Sequence, residues 1–211
     1  MLSDGKKARI AVLVSGGGTN LQALIDAQAQ GILQSGTLAL VVSNNPEAYA
    51  LERAAKAGIP SLTLTRSGCG SQAAFEAALT AAMEEHKIDL IILAGFMSIL
   101  SGAFTDRWPE RIINVHPSLI PSFCGKGMYG LRVHEAALDY GVKVTGATVH
   151  FVNAVPDGGR IIFQKAVNIL PEDTAETLQK RVMEQAEWIL LPRATELVSA
   201  RIIKEKELQH D

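Results

Sequence analysis

Cysteine is nearly absent. Cys69 and Cys124 are the only two in 211 residues, and neither stands in a metal-ligand spacing. They are expected to be free thiols in a reducing compartment. No apolar run reaches the roughly 18 residues of a membrane span. The start, Met1 to Arg9, is polar and charged and lacks the form of a signal peptide. An excess of one charge is also missing, since 20 Lys and Arg stand against 22 Asp and Glu. That balance argues against a surface that binds nucleic acid by broad phosphate neutralisation, while a local anion pocket is compatible with it. A cytoplasmic globular chain is the expectation. With 47% hydrophobic residues, it can fill one sizeable core, read as a single domain over 1–211 with its core at about 9–200.

The first half alternates short apolar runs with longer Ala-rich amphipathic stretches. Strands are predicted at Arg9–Val14, Leu38–Ser43, Ser61–Leu64, Asp89–Ala94 and Arg111–Val115, with helices over Asn20–Gln30, Glu47–Ala57 and Gln72–His86 between them. Asp89–Ala94 is apolar on both faces, as the centre of a parallel sheet requires. The alternation predicts an open, doubly wound, mostly parallel α/β sheet. After His116 the pattern changes. Pro117, Pro121, Gly125, Gly127 and Gly130 mark a long loop. A helix follows at Val133–Tyr140, then two strands, Val142–Val152 and Arg160–Asn168, joined by a turn at Pro156–Gly159. These two form an antiparallel extension. The last element is a helix over Leu178–Ala200, interrupted near Pro192. Ligands of such sheets bind beyond the carboxyl ends of the strands, where Ser15–Asn20 and Asn114–His116 fall.

Ser15-Gly16-Gly17-Gly18-Thr19-Asn20 joins the first strand to the first helix. Its glycines permit a tight turn that exposes N–H groups, and a helix N-terminus favours an anion. It lacks the Gly-Lys-Ser/Thr ending of a nucleotide P-loop, and Leu21 stands where a dinucleotide loop has its last glycine. A single monophosphate suits it better than a pyrophosphate. The bland reading is a strand-to-helix turn capped by Thr19 or Asn20. Asn114 and His116, two apart on an extended strand, face the same side. His116 can exchange protons near neutral pH and Asn114 can donate to an oxygen gaining charge. Asp157-Gly158-Gly159 is either a hairpin turn or a carboxylate that orients His116 and favours its charged form.

Together, Ser15–Leu21, Leu93–Met97, Ile113–Leu119, Thr148–Val152, Asp157–Gly159 and Arg181-Val182 resemble the phosphoribosylglycinamide formyltransferase family. The resemblance runs from about Arg9 to Ala200. It implies a Rossmann-like formyltransferase fold and transfer of a formyl group from 10-formyltetrahydrofolate to the amine of glycinamide ribonucleotide, without a metal. Asn114, His116 and Asp157 are the implied catalytic trio, with Thr148 supporting His116. Gly18, Thr19 and Asn20 are implied for the phosphate and Glu187 for the ribose hydroxyls, with Glu184 as its competitor. Met97, Ser98, Ile99 and Leu100, with Gln72 and Asn114, are implied for the folate. This chain departs from the family in four places. Ser98 and Gln72 replace common arginines, the loop Cys124–Gly130 is longer, and one extra residue lies between Arg181 and Pro192.

The implied chemistry is direct transfer, with Asn114 and a protonated His116 stabilising the oxyanion. The implied partners are the two small molecules, with no nucleic acid and no membrane, and the chain is expected to be a monomer or homodimer. The competing readings are a methionyl-tRNA formyltransferase, a 10-formyltetrahydrofolate hydrolase and a non-catalytic folate- or nucleotide-binding protein. The first two are expected to need a further domain. The intact trio argues against the third.

Overall fold

The computed structural model describes residues 7–209. β1 (Ala8–Val14) is buried along nearly its whole length, which a strand achieves only when both faces of its sheet are covered. It lies parallel to β2 (Gly36–Ser43) on one side and β4 (Leu90–Leu93) on the other. β3 (Ser61–Thr63) continues the sheet beyond β2, and β5 (Ile112–His116) continues it beyond β4, both parallel. Direction then reverses: β6 (Val144–Phe151) runs antiparallel to β5, and β7 (Ile161–Asn168) antiparallel to β6. The full order is β3-β2-β1-β4-β5-β6-β7, so the doubly wound sheet and its antiparallel extension are as expected. The chain turns from one half of the sheet to the other between the neighbours β1 and β4, which places a ligand cleft at their carboxyl ends.

Side-chain alternation sorts β1 between two apolar layers. Ile10, Val12 and Val14 pack with Leu21 and Leu24 of α1 (Thr19–Ala29) and with Leu191, Ala194 and Val198 of α8 (Trp188–Leu208). Ala11 and Leu13 pack on the other face with Phe75, Leu79 and Met83 of α4 (Gln72–Glu85). Each such Leu or Ile, fully removed from water, contributes roughly 1.5–3 kcal/mol. α2 (Tyr49–Lys56), α6 (Leu131–Tyr140) and α7 (Ala175–Val182) complete the longer helices. α3 (Arg66–Cys69) and α5 (Gly102–Thr105) are single turns, too short to show a helical period in the sequence. Among the described residues no helix is long and apolar enough to cross a membrane.

The C-terminal helix corrects the sequence reading. Helical structure starts at Ala175 rather than Leu178 and runs on through Pro192 to Leu208. Its irregularity is a π turn at Met183–Glu187, where the Trp188 N–H reaches back to the Met183 carbonyl. A residue inserted into a helix is absorbed as such a wide turn, and this is the segment one residue longer than the resemblance implies. The buried Pro192, which has no N–H to give, follows close behind it without breaking α8. His210 lies outside the described residues.

Candidate active site

The carboxyl ends of β1, β4 and β5 open into a cleft of about 540 Å³ whose lining includes Asn20, Met97, Asn114, His116, Asp157 and Glu187. β5 delivers Asn114 and His116 on one face. His116 is 4% exposed. Its Nε2 lies 2.9 Å from the Phe123 carbonyl in the long loop, and its Nδ1 faces Asp157 Oδ2 at 3.6 Å. Asp157 sits at φ 55°, left-handed backbone that Asp and Asn tolerate better than other side chains. The turn and the carboxylate therefore coexist in one residue: the tight turn aims the side chain back at the imidazole. Burial pushes the Asp157 carboxyl up. The facing His116 ring and the Gly125 N–H, 2.8 Å away, outweigh it and hold the group below the ordinary aspartate range.

His150 is the residue the sequence reading missed. It pairs with Asn114 across the β5–β6 ladder, as Thr148 pairs with His116. The signal was available, because placing Thr148 beside His116 puts the residue two further on beside Asn114. His150 Nδ1 lies 2.8 Å from the Phe151 carbonyl and so carries the proton. Its Nε2, 3.1 Å from Asn114 Nδ2, then accepts from the amide. This fixes the Asn114 amide and leaves its second N–H for the cleft. Asp157 Oδ1 lies 3.6 Å from the same Nε2, beyond a good hydrogen bond. Thr148 plays a different part from the one expected. Its hydroxyl donates to the Ser118 carbonyl and accepts from Ile120 N and Gln164 Nε2, so it fixes the chain after His116 rather than the imidazole.

At the other end of the cleft α1 begins at Thr19 with no side-chain cap, so neither Thr19 nor Asn20 plays the capping part. Its first N–H groups stay available to an anion. Gly16 and Gly17 have open space where a side chain would stand, whereas Gly18, at φ +71°, has Ala50 2.7 Å from the position of a Cβ. Gly18 thus serves the turn and its packing on α2. Thr19 faces a separate groove of about 580 Å³ between α1 and α8. Asn20 turns into the cleft and donates to Glu187 Oε2 at 2.7 Å. Glu187 is 6% exposed, and burial pushes its carboxyl up to about 7 against the Asn20 hydrogen bond. Glu184 is exposed and pairs with Lys180 at 3.9 Å. The π turn thus directs Glu187, and not Glu184, into the cleft.

The segment after β4 forms the remaining wall. Met97, Ser98 and Ile99 line the cleft, and Leu100 lines a smaller adjoining pocket of about 130 Å³ beside Asn114 and His150. Gln72 does not line either. Its amide turns to Glu76 Oε1 at 2.6 Å and to the Ile99 carbonyl at 3.1 Å, bracing the wall from behind. The helical stretch alone could not reveal this, because the partner carbonyl lies 27 residues away.

A family profile described as formyl transferase matches residues 8–195. The chain is 41% identical over 177 residues to a phosphoribosylglycinamide formyltransferase of Haemophilus influenzae, covering 84% of this chain and 81% of that protein. It is 44% identical over 199 residues to the bovine trifunctional purine biosynthetic protein adenosine-3, covering 94% of this chain and 19% of that protein. It thus spans about a fifth of the length of this larger relative. Among solved structures, glycinamide ribonucleotide transformylase 1 from Symbiobacterium toebii superposes with a TM-score of 0.87 at 42% identity, over 95% of this chain and 91% of that one.

Proposed function

Because this chain belongs to the formyl transferase family, we propose that it transfers the formyl group of 10-formyltetrahydrofolate to the amine of glycinamide ribonucleotide, a step of purine biosynthesis. The observation that carries the reading is the convergence of Asn114, His116 and Asp157 on one cleft, with an uncapped helix N-terminus and a buried carboxyl at its other end. The substrate phosphate sits against Gly16, Gly17 and the first turn of α1. Glu187 accepts from the ribose hydroxyls, and the folate ring lies along Met97–Leu100. The amine then attacks the formyl carbon, and the carbonyl electron pair moves to oxygen. Asn114 Nδ2 and His116 Nε2 donate to that oxyanion, for which the Phe123 carbonyl must give up Nε2. Asp157, ionised, holds the protonated imidazole in place. As the tetrahedral intermediate collapses, the bond to the folate nitrogen breaks. The proton lost by the amine reaches that nitrogen through a water beside Asp157.

No metal takes part in this scheme, its partners are two small molecules, and its setting is the cytoplasm. The test is formyl transfer from 10-formyltetrahydrofolate with glycinamide ribonucleotide, water and methionyl-tRNA offered in competition. Preferential transfer to the ribonucleotide amine is expected. Preference for water or tRNA, or no transfer at all, refutes the assignment.

A further inference from the structure

We propose that Glu76, a residue of α4 outside the cleft, is a positioning residue for the formyl donor, an inference that rests on the function proposed above. Glu76 is 8% exposed on a helix whose neighbouring buried positions are Phe75, Leu79 and Met83. A carboxylate at such a position is tolerated only when hydrogen bonds replace its water. It has three: from Ser101 N at 2.6 Å, from Ser101 Oγ at 2.5 Å and from Gln72 Nε2 at 2.6 Å. Burial pushes the carboxyl up, but these bonds outweigh it and keep the group below the ordinary glutamate range.

The bonds end where the wall of the cleft ends. From Gly95 to Leu100 the chain has no helix or strand, and side chains from elsewhere fix its course. Ser15 Oγ accepts from Met97 N at 2.8 Å, and Asn44 Nδ2 donates to Ser98 Oγ at 2.7 Å. At the far end, Gln72 holds the Ile99 carbonyl while Glu76 holds both Gln72 and Ser101. Between these anchors Met97 and Ile99 are 51% and 64% exposed, while Phe96 and the buried Leu100 pack on the core. Core packing seats the two ends of the segment, and the buried carboxylate fixes the backbone at the far end through charge-assisted bonds stronger than those of a neutral acceptor. A ring laid along this wall meets backbone groups whose position follows Glu76, and small errors of placement in a reacting group cost large factors in rate.

The experiment uses Glu76→Gln, which keeps shape but brings an NH2 against donors, and Ser101→Ala, which removes one of the three bonds. For Glu76→Gln, the KM for 10-formyltetrahydrofolate should rise about tenfold, with the KM for glycinamide ribonucleotide within about twofold. Amide hydrogen exchange at Met97–Leu100 should quicken without any ligand. Ser101→Ala should give a smaller change in the same direction. An unchanged donor KM and unchanged exchange in folded Glu76→Gln overturn the proposal. So does an equal rise in both KM values with a large drop in Tm, which marks a residue of the fold at large. Failure of the wild-type protein to use the folate or the ribonucleotide instead sinks the functional reading, while the exchange measurement still tests the wall.

Discussion

Replacing Glu187 by Gln should stabilise the protein at pH 8 while weakening its hold on the ribonucleotide. Burial moves the midpoint of this carboxyl from 4.5 to about 7. A midpoint raised on folding means that the folded chain prefers the neutral form. The associated stability is complete below pH 4.5, falls as pH rises from 4.5 to about 7, and is constant beyond. At 1.36 kcal/mol for each tenfold change in acidity, the limit is about 3 kcal/mol. Relaxation and entry of water reduce this, and about 2 kcal/mol is expected. Gln keeps the acceptor for Asn20 Nδ2 and nearly the same volume, but it cannot ionise. Glu187→Gln should therefore raise Tm at pH 8 by roughly 4–8 °C, for a chain of this size, and coincide with wild type to within roughly 1 °C at pH 4.5. The KM for glycinamide ribonucleotide should rise at least about tenfold, because hydrogen bonds to a charged acceptor are the stronger ones. Melting curves at the two pH values and steady-state kinetics measure both effects. A variant that melts at or below the wild-type temperature at pH 8 would refute the argument that the ionised carboxylate strains the fold.

His116→Ala should lower kcat at least about 100-fold, as loss of an oxyanion donor does, while the far-UV circular dichroism stays that of wild type. Near-normal turnover would remove His116 from the chemistry. Asp157→Asn preserves the left-handed turn at φ 55° and should shift Tm by no more than roughly 3 °C, yet lower kcat, since the His116 imidazole loses the carboxylate that faces it at 3.6 Å. Wild-type activity in a folded variant would return Asp157 to the role of a turn. In the glycine loop the effects should separate. Gly17→Val, with open space around it, should weaken ribonucleotide binding with little change in Tm. Gly18→Ala combines positive φ with Ala50 at 2.7 Å and should cost at least about 2 kcal/mol of stability. The reverse assignment of the two effects, seen by calorimetric titration and melting, would contradict the loop geometry.

The sheet was legible because β1 and β4 carry unbroken apolar runs and the glycine loop, the Asn-x-His pair and the Asp-Gly-Gly turn all mark strand ends. The antiparallel extension followed from two long strands separated by only a tight turn. What escaped is what depends on distant partners. Gln72 is implied for the folate, and only its bond to the Ile99 carbonyl shows that it braces the wall from behind. Pro192 reads as a helix break, yet the π turn ahead of it takes up the irregularity. Thr148, which the resemblance sets in support of His116, does pair with it across the ladder, but its hydroxyl follows the loop carbonyl of Ser118, which no strand pattern encodes.

The Asn20–Glu187 hydrogen bond joins residues 167 apart in the chain, and that distance orders events during synthesis. At about 5–20 residues per second, roughly 8–30 s pass between the making of the glycine loop and the making of its carboxyl partner. Asn114 and His116 also exist well before β6 and the Asp157 turn arrive to complete them. A nascent chain that has built the whole parallel half of its sheet therefore still lacks the Glu187 end of its cleft. A ligand that spans both ends of the cleft can stabilise the chain only once the segment bearing Glu187 has left the ribosome and docked, so it secures the finished fold and gives no help to its early intermediates.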